Sequence, residues 1–302
     1  MAGPEQKRIS VEKKIDFFPG KDVLKKRLEE SPYKQVIIDF LKKNNVDIKT
    51  LLTWPEKGSY SLSDMGILRH FLAGNIIIEP FDLKNLTPNS YEISLGNYYY
   101  RQRPKNNKPI FYDSPKRLHN IQYGLTSLDE EEGVEKAFPT LNPFDRLNIQ
   151  YIWQKNEAVK AKDFMRKYNV KFDGIKDKDK IIVIHPHEMI LAHTKEFIGG
   201  RNVVSTMISA RSSVGRSLLE VCNDANLGHI GYVNRWTLEI KNKSDSHAIP
   251  LVVGEKYAQI SFSETEPSAQ TYQGEYQKGF NLKEITEAWE PEMMLSKMKR
   301  SF

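Results

Sequence analysis

Cysteine is nearly absent from this 302-residue chain, Cys222 being the only one. An intrachain disulfide framework is therefore impossible, and a reducing, cytoplasmic setting is the expectation. The same scarcity removes the C-x-x-C half of the ligand set with which zinc nucleobase deaminases hold their metal, so zinc is not expected. No run of about 18 apolar residues occurs, and no transmembrane helix is expected. The opening "MAGPEQKRISVEKK" has no apolar stretch and does not read as a secretory signal. Internal repeats and low-complexity tracts are missing as well. Gly199-Gly200 and the stretch from Gly228 to Gly231 lack the strand-to-helix setting and the lysine of a phosphate loop. There is no G-x-S-x-G and no evident Ser/His/Asp grouping, so acyl transfer has no support.

What remains is an ordinary soluble composition, 39% hydrophobic and 28% charged, with a formal net charge of +6. Lysines are spread among acids rather than massed. Such a balance suits anionic small molecules such as nucleotides as readily as nucleic acid, and alone it decides nothing.

Residues 1–20 read as a tether closed by Pro19-Gly20. "KDVLKKRLEESPYKQVIIDFLKK" carries apolar residues at helical spacing around Ser31-Pro32, which predicts two successive helices. "SLSDMGILRHFLAG" predicts a short amphipathic helix over Ser63–Ala73, with Ser61 or Ser63 as N-cap and Gly74 as the stop. From "NIIIEP" to "YAQISF" the chain becomes a series of short β-rich runs punctuated by Gly, Pro and Asn, the pattern of a barrel or sandwich. An insertion of about residues 105–180 interrupts them, with the acidic run "LDEEEGVEK" and a helical-looking "NEAVKAKDFMRKYNV". The expected organisation is a helical extension over 1–60, a mainly β domain over 61–285 and a tail over 286–302 that ends as a short helix.

Three places carry polar chemistry. "HPHE", with His185, His187 and Glu188, offers ligand-type side chains, but His-Pro-His between apolar strands reads more simply as a turn. "ARSSVGR" gathers two serines and a glycine between two guanidinium groups. Ser212 and Arg216 are four apart, so one helical turn puts both on one face and leaves Arg211 and Ser213 to point elsewhere. Hydroxyls, turn amides and guanidinium forks suit phosphate oxygens, although on physics alone a solvated surface turn explains the stretch equally. In "NRWTLEIKN", alternation puts Trp236, Leu238 and Ile240 on one face and Thr237 and Glu239 on the other. A lone strand Glu is usually solvated. Lining a pocket, it would be suited to acid–base work.

Together these pieces resemble the dCTP deaminase family of the trimeric dUTPase fold. The resemblance rests on the "HPHE" turn, R-S-S-x-x-R at Arg211–Arg216, the "TLEI" strand with Glu239 23 residues beyond Arg216, the "IPLVVGEKYAQISF" strand pair and the upstream "SYEISLGN". It covers about residues 61–104 and 180–280. It implies a dUTPase-like distorted β-barrel or jelly roll, here with added N-terminal helices and a partly helical insertion.

The implied reaction is metal-free hydrolysis of dCTP to dUTP and ammonia. By resemblance Glu239 is the general base, Ser212 and Arg216 handle water and the tetrahedral intermediate, and Arg211 and Ser213 face the triphosphate. Ala225, His229, Tyr272, Gln273 and Lys278 fall at further substrate-binding positions. Mg²⁺ is implied as the nucleotide's companion and a homotrimer as the assembly, with no membrane or nucleic-acid partner. Two departures stand out. His229 occupies a slot ten residues before Glu239 where many members carry an Asp that serves triphosphate cleavage. In "AQTYQGEYQKGF", which resembles the family's lid, Thr271 replaces the usual Lys. A dUTPase-type pyrophosphatase and a catalytically silent nucleotide-binding or assembly protein are the rival expectations.

Overall fold

The computed structural model describes residues 18–55, 61–102, 152–268, 270–277, 279 and 281–297. Most of the insertion, including its acidic run, lies outside them, as does nearly all of the N-terminal tether. The chain opens with helices α1 (Lys21–Glu30), α2 (Lys34–Lys43), α3 (Ile48–Leu52) and α4 (Asp64–Ala73). Leu24 and Leu28 of α1, and Ile37 and Leu41 of α2, recur at four-residue spacing and are buried. Ser63 caps α4 by accepting the Gly66 N–H, and Gly74 ends it at a left-handed φ of 77°. α4 is less amphipathic than its sequence suggests. Gly66, Ile67, Leu68, Arg69, His70 and Leu72 are all buried, because α1 and α3 pack on it together with the strand that follows.

That strand is β1 (Ile76–Glu79), followed by β2 (Tyr91–Ser94), β3 (Tyr98–Gln102), β4 (Trp153–Glu157) and β5 (Val159–Lys160). Helix α5 (Ala161–Tyr168) leads into β6 (Lys180–Ile184), β7 (Met189–His193), β8 (Phe197–Gly200) and β9 (Val204–Ala210). Helix α6 (Ser212–Arg216) precedes β10 (Leu219–Val221), β11 (Leu227–Gly228), β12 (Val233–Asn234), β13 (Thr237–Asn242), β14 (Ile249–Val252) and β15 (Lys256–Glu264). Helix α7 (Leu282–Ala288) and a 3-10 turn, Pro291–Met294, complete the described chain.

The fold is mainly β with few helices, as expected. The strands form four antiparallel sheets in open order: β10-β13-β7-β3-β4, β11-β9-β15-β2, β1-β8-β12 and β14-β6-β5. The helix expected over "NEAVKAKDFMRKYNV" is confined to Ala161–Tyr168. Its first residues instead extend β4, where Asn156 and Glu157 pair with Tyr99 and Tyr98 of β3.

One hydrophobic core joins the inward faces of the two larger sheets. Trp236, Leu238 and Ile240 meet Ile208, Ala258, Ile260 and Phe262 there. Leu24, Leu28, Ile37, Leu41, Leu51 and Leu52 of the N-terminal helices belong to the same core.

Candidate functional site

Helix α6 is short because Leu218, just beyond it, takes a left-handed φ of 60° and turns the chain into β10. Val214 is the buried anchor of this turn. Ser212, Ser213 and Arg216 are exposed. Arg216 makes no ion pair and Ser212 no side-chain hydrogen bond among the described residues. The Ser213 carbonyl accepts from the Ser217 hydroxyl at 3.0 Å.

Arg211 is already engaged. Its Nε lies 2.7 Å from Glu92 Oε1, and its Nη1 donates to the Lys256 carbonyl at 3.2 Å. Lys256 Nζ shares the same carboxylate at 3.1 Å. Arg211 thus braces α6 against β2 and β15. The sequence marks "SYEISLGN" as a strand but carries no sign that Glu92 is this partner.

Glu239 projects from the middle of β13, half-buried, on the face opposite Trp236, Leu238 and Ile240. Its backbone carbonyl accepts the Cys222 N–H at 3.0 Å, which ties β13 to the end of β10. Burial raises the Glu239 carboxyl above its ordinary value, and the negative charge of Asp224 adds to the effect. Among the described residues its side chain makes no ion pair. Cys222 itself is buried, and burial pushes its thiol up to about 12, which leaves it an inert thiol.

Between α6, β9 and β10 runs a half-open groove of about 280 Å³, lined in part by Ala210, Gly215, Val221, Cys222, Asn223 and Asn226. Gly215 of the α6 turn and the β10 edge therefore face one space, which Glu239, Ser212 and Arg216 do not line. Ala225 and His229 are exposed on the segment that follows.

The His229 ring is stacked with the Tyr272 ring, centroids 6.1 Å apart and planes 12° apart. Tyr272 also meets Tyr232 edge-on at 5.1 Å, and its N–H donates to the Ile230 carbonyl at 2.8 Å. The irregular segment Thr271–Gln277, with a turn at Glu275–Tyr276, is thus docked on the turn at Ile230–Gly231 and on β12. Gly231, at a φ of +92°, permits the approach, since a Cβ there would meet Thr271 Oγ1 at 2.0 Å.

Gln277, which carried no sequence signal, is the clasp. Its Oε1 accepts the Val233 N–H at 2.7 Å, and its Nε2 donates to the Gly231 carbonyl at 3.2 Å. Gln273 is exposed, and Lys278 lies outside the described residues.

The "HPHE" turn is a turn, with His187 at a φ of 58°. Glu188 is bound by Arg101 and accepts the His185 N–H at 2.8 Å, so its carboxylate is occupied. Among the described residues no group of three His, Cys, Asp or Glu side chains is arranged to hold a metal ion. Nor, among them, is any helix long and apolar enough to cross a membrane.

A family model described as dCTP deaminase-like matches residues 146–265. A protein of Leptospira biflexa named "dCTP deaminase, dUMP-forming" is 31% identical over 207 residues, covering 68% of this chain and 84% of its own. One of the same name from Methanococcus maripaludis strain C5 is 25% identical over 242 residues, covering 80% and 96%. Among solved structures, the 2'-deoxycytidine 5'-triphosphate deaminase of Agrobacterium tumefaciens matches with a TM-score of 0.42 at 17% identity, covering 69% of this chain and 49% of that one.

Proposed function

The chain belongs to the dCTP deaminase family, and from that premise we propose that it is a hydrolase removing the 4-amino group of dCTP. Glu239 would take a proton from water as the oxygen attacks cytosine C4. It would deliver that proton to N3 and then carry the second water proton, from the C4 hydroxyl, to the 4-amino nitrogen, so that C4=O forms, the C4–N bond breaks and ammonia leaves with dUTP as the other product. Ser212 and Arg216 would hold the water and the charge on the tetrahedral carbon's oxygen. The observation that carries this reading is the Glu239 carboxyl. It is half-buried on a strand, raised by burial, and free of any ion pair among the described residues. Such a perturbed, uncommitted carboxyl is what a general base near neutral pH requires.

Asp224 is the charge that acts on Glu239, and it is an anion. Among the described residues no cation is paired with Glu239, and Arg216 is exposed and unpaired. This supports a site completed between subunits of a homotrimer, with Arg216 serving a neighbour's Glu239. Arg211 and Ser213 would lie toward the phosphates, with Arg211 held in orientation by Glu92. Ala225, His229, Tyr272, Gln273 and Lys278 would contact sugar, base or phosphates. Mg²⁺ would arrive with the triphosphate as part of the substrate, and a cytoplasmic setting fits the single buried thiol.

His229 in the Asp slot supports a reaction that stops at dUTP. A second reading, cleavage of the triphosphate as well to give dUMP, is favoured by the relatives' name, "dCTP deaminase, dUMP-forming". One assay separates these. Purified protein is given dCTP or dUTP with Mg²⁺, and ammonia, dUMP and pyrophosphate are followed. Ammonia from dCTP without pyrophosphate is the expected result. Pyrophosphate together with ammonia supports the second reading, and neither product, with nucleotide still bound, leaves a silent binding protein.

A further inference from the structure

In the antiparallel pair of β7 and β13, Glu239 stands directly opposite Leu191. Thr237 stands opposite His193, and Lys241 opposite Met189. Direct partners share a face of the sheet and touch there. Leu191 is only 6% exposed although it lies on the face turned away from the main core. What covers it comes from far along the chain. Leu191, Tyr100 and Trp153 form a second small core with Met294 and Leu295 of the C-terminal turn.

We propose that this turn, Pro291–Met294 with Leu295, is the wall that keeps water from one side of Glu239, acting through Leu191. Met294 and Leu295 are then positioning residues for the reactive carboxyl, supplied by a segment beyond the 146–265 match to the family. The inference takes Glu239's role from the proposed function.

The turn is held down at several points. Glu292 accepts from Lys155 Nζ at 3.0 Å and from the Tyr100 hydroxyl, which fastens it to β4 and β3 on the same face. Upstream, Ile285 of α7 packs into a cluster with Phe197 and Val233. Between the two anchors, the Trp289 ring lies 4.6 Å from the Arg235 guanidinium, which also lies 4.7 Å from the Phe197 ring. Downstream, Lys297 Nζ donates to the Glu275 carbonyl at 2.8 Å, which joins the tail to the docked segment Thr271–Gln277. The turn is therefore seated on the sheet rather than laid loosely across it.

Water exclusion by an apolar neighbour acts on a carboxyl by disfavouring its charged form. The other charged groups on this side of the sheet are few. Asp224 opposes ionisation of Glu239. Lys241 lies on the same face two residues on, and its cross-strand partner Glu220 is paired with Lys243 at 2.8 Å. His193 is buried, with Nδ1 against the Thr194 carbonyl, and burial lowers it to about 4, so it is neutral at pH 7. Lys155 and Glu292 neutralise each other at the far edge. The apolar cover is thus the element whose removal isolates burial from charge.

The test is a titration of Glu239 followed by carboxyl ¹³C NMR, with its resonance assigned by its loss in Glu239→Gln. This reports on the wall whether or not the protein deaminates dCTP. In Met294→Ala the titration should move to lower pH, and in Met294→Leu, which refills the space, it should stay at the wild-type position. The acid limb of ammonia release from dCTP should move in parallel. An unchanged Glu239 titration in folded Met294→Ala, or an equal displacement in Met294→Leu, overturns the proposal. If Met294→Ala does not fold, Glu292→Ala loosens the turn from the solvent side. It should lower the Glu239 titration in the same direction, and an unchanged value there is equally decisive against the wall.

Discussion

Arg211 and Glu92 form an ion pair of 2.7 Å that bolts the first residue of the α6 turn to β2. The pair answers why the two arginines of "ARSSVGR" are not equivalent. One is spent on holding the turn, the other is left at the surface. Glu92→Ala should therefore loosen α6 without touching any reacting atom. Because the Arg211 side chain is 36% exposed, solvent screens the pair and the expected loss is about 1 kcal/mol. Urea unfolding would measure it, and the KM for dCTP should rise while Glu92→Gln, which keeps an acceptor, lies between the two.

Glu239→Gln should abolish ammonia release while nucleotide binding, measured by calorimetry, persists. Its stability should also change in a defined direction. Burial and Asp224 raise the folded pKa of Glu239 above its unfolded value. Between those two values the folded state holds the extra proton, so ionisation of Glu239 opposes folding as pH rises. The Gln variant should consequently melt higher than wild type at neutral pH. That advantage should shrink to nothing below the ordinary glutamate value. A neutral-pH melting temperature below that of wild type would remove the desolvation argument.

His229→Asp restores the side chain that many family members carry. The expected outcome is pyrophosphate appearing beside ammonia when dCTP is the substrate. The same change removes the 6.1 Å ring stack with Tyr272. Thr271–Gln277 should then become more open to proteolysis, whereas His229→Phe should keep the segment protected and produce no pyrophosphate.

His70 and His193 are buried and lowered from 6.5 to about 4, chiefly by desolvation. Asn75 Nδ2 approaches His70 Nδ1 at 3.2 Å and can only donate, so the His70 proton sits on Nε2, facing Glu264 at 3.1 Å. The unfolded chain binds protons at these histidines that the fold refuses. Stability should therefore decline as pH falls from about 6.5 toward 4, by roughly 3 kcal/mol for each histidine at most. Urea midpoints across that range would measure the slope. His70→Gln should flatten it while lowering stability at pH 7.

Local signals made the helices α1, α2 and α4, the "HPHE" turn and the alternation of β13 readable from the sequence. Each rests on neighbours within a few residues: a proline at Pro32, a cap at Ser63, a period of two around Glu239. The sequence also held the motif that makes α6. It could not reveal which guanidinium was already occupied, because Glu92 is remote along the chain and its role depends on a sheet register. Gln277 was silent for the same reason, since a glutamine announces a clasp only once a turn lies beneath it. Asn156 and Glu157, which read as the start of a helix, instead end the strand Trp153–Glu157, because their partner β3 lies across the insertion. The cover over Leu191 comes from residues about a hundred positions away, beyond the reach of any local pattern.

The N-terminal helices have a consequence for how the protein comes apart. Leu24, Leu28 and Leu51 are fully enclosed in the same apolar interior as Ile208 and Phe262. Arg69 of α4 donates to the carbonyls of Thr50 and Leu51, closing the end of α3 from inside that interior. A segment so embedded does not behave as an appendage on a string. Cutting the chain near residue 60 would strip one wall from the interior and expose the β strands' inner faces to water. Residues 18–55 and the sheets should accordingly lose their structure in one transition, and a shortened chain beginning at the first strand should aggregate rather than work as a smaller enzyme.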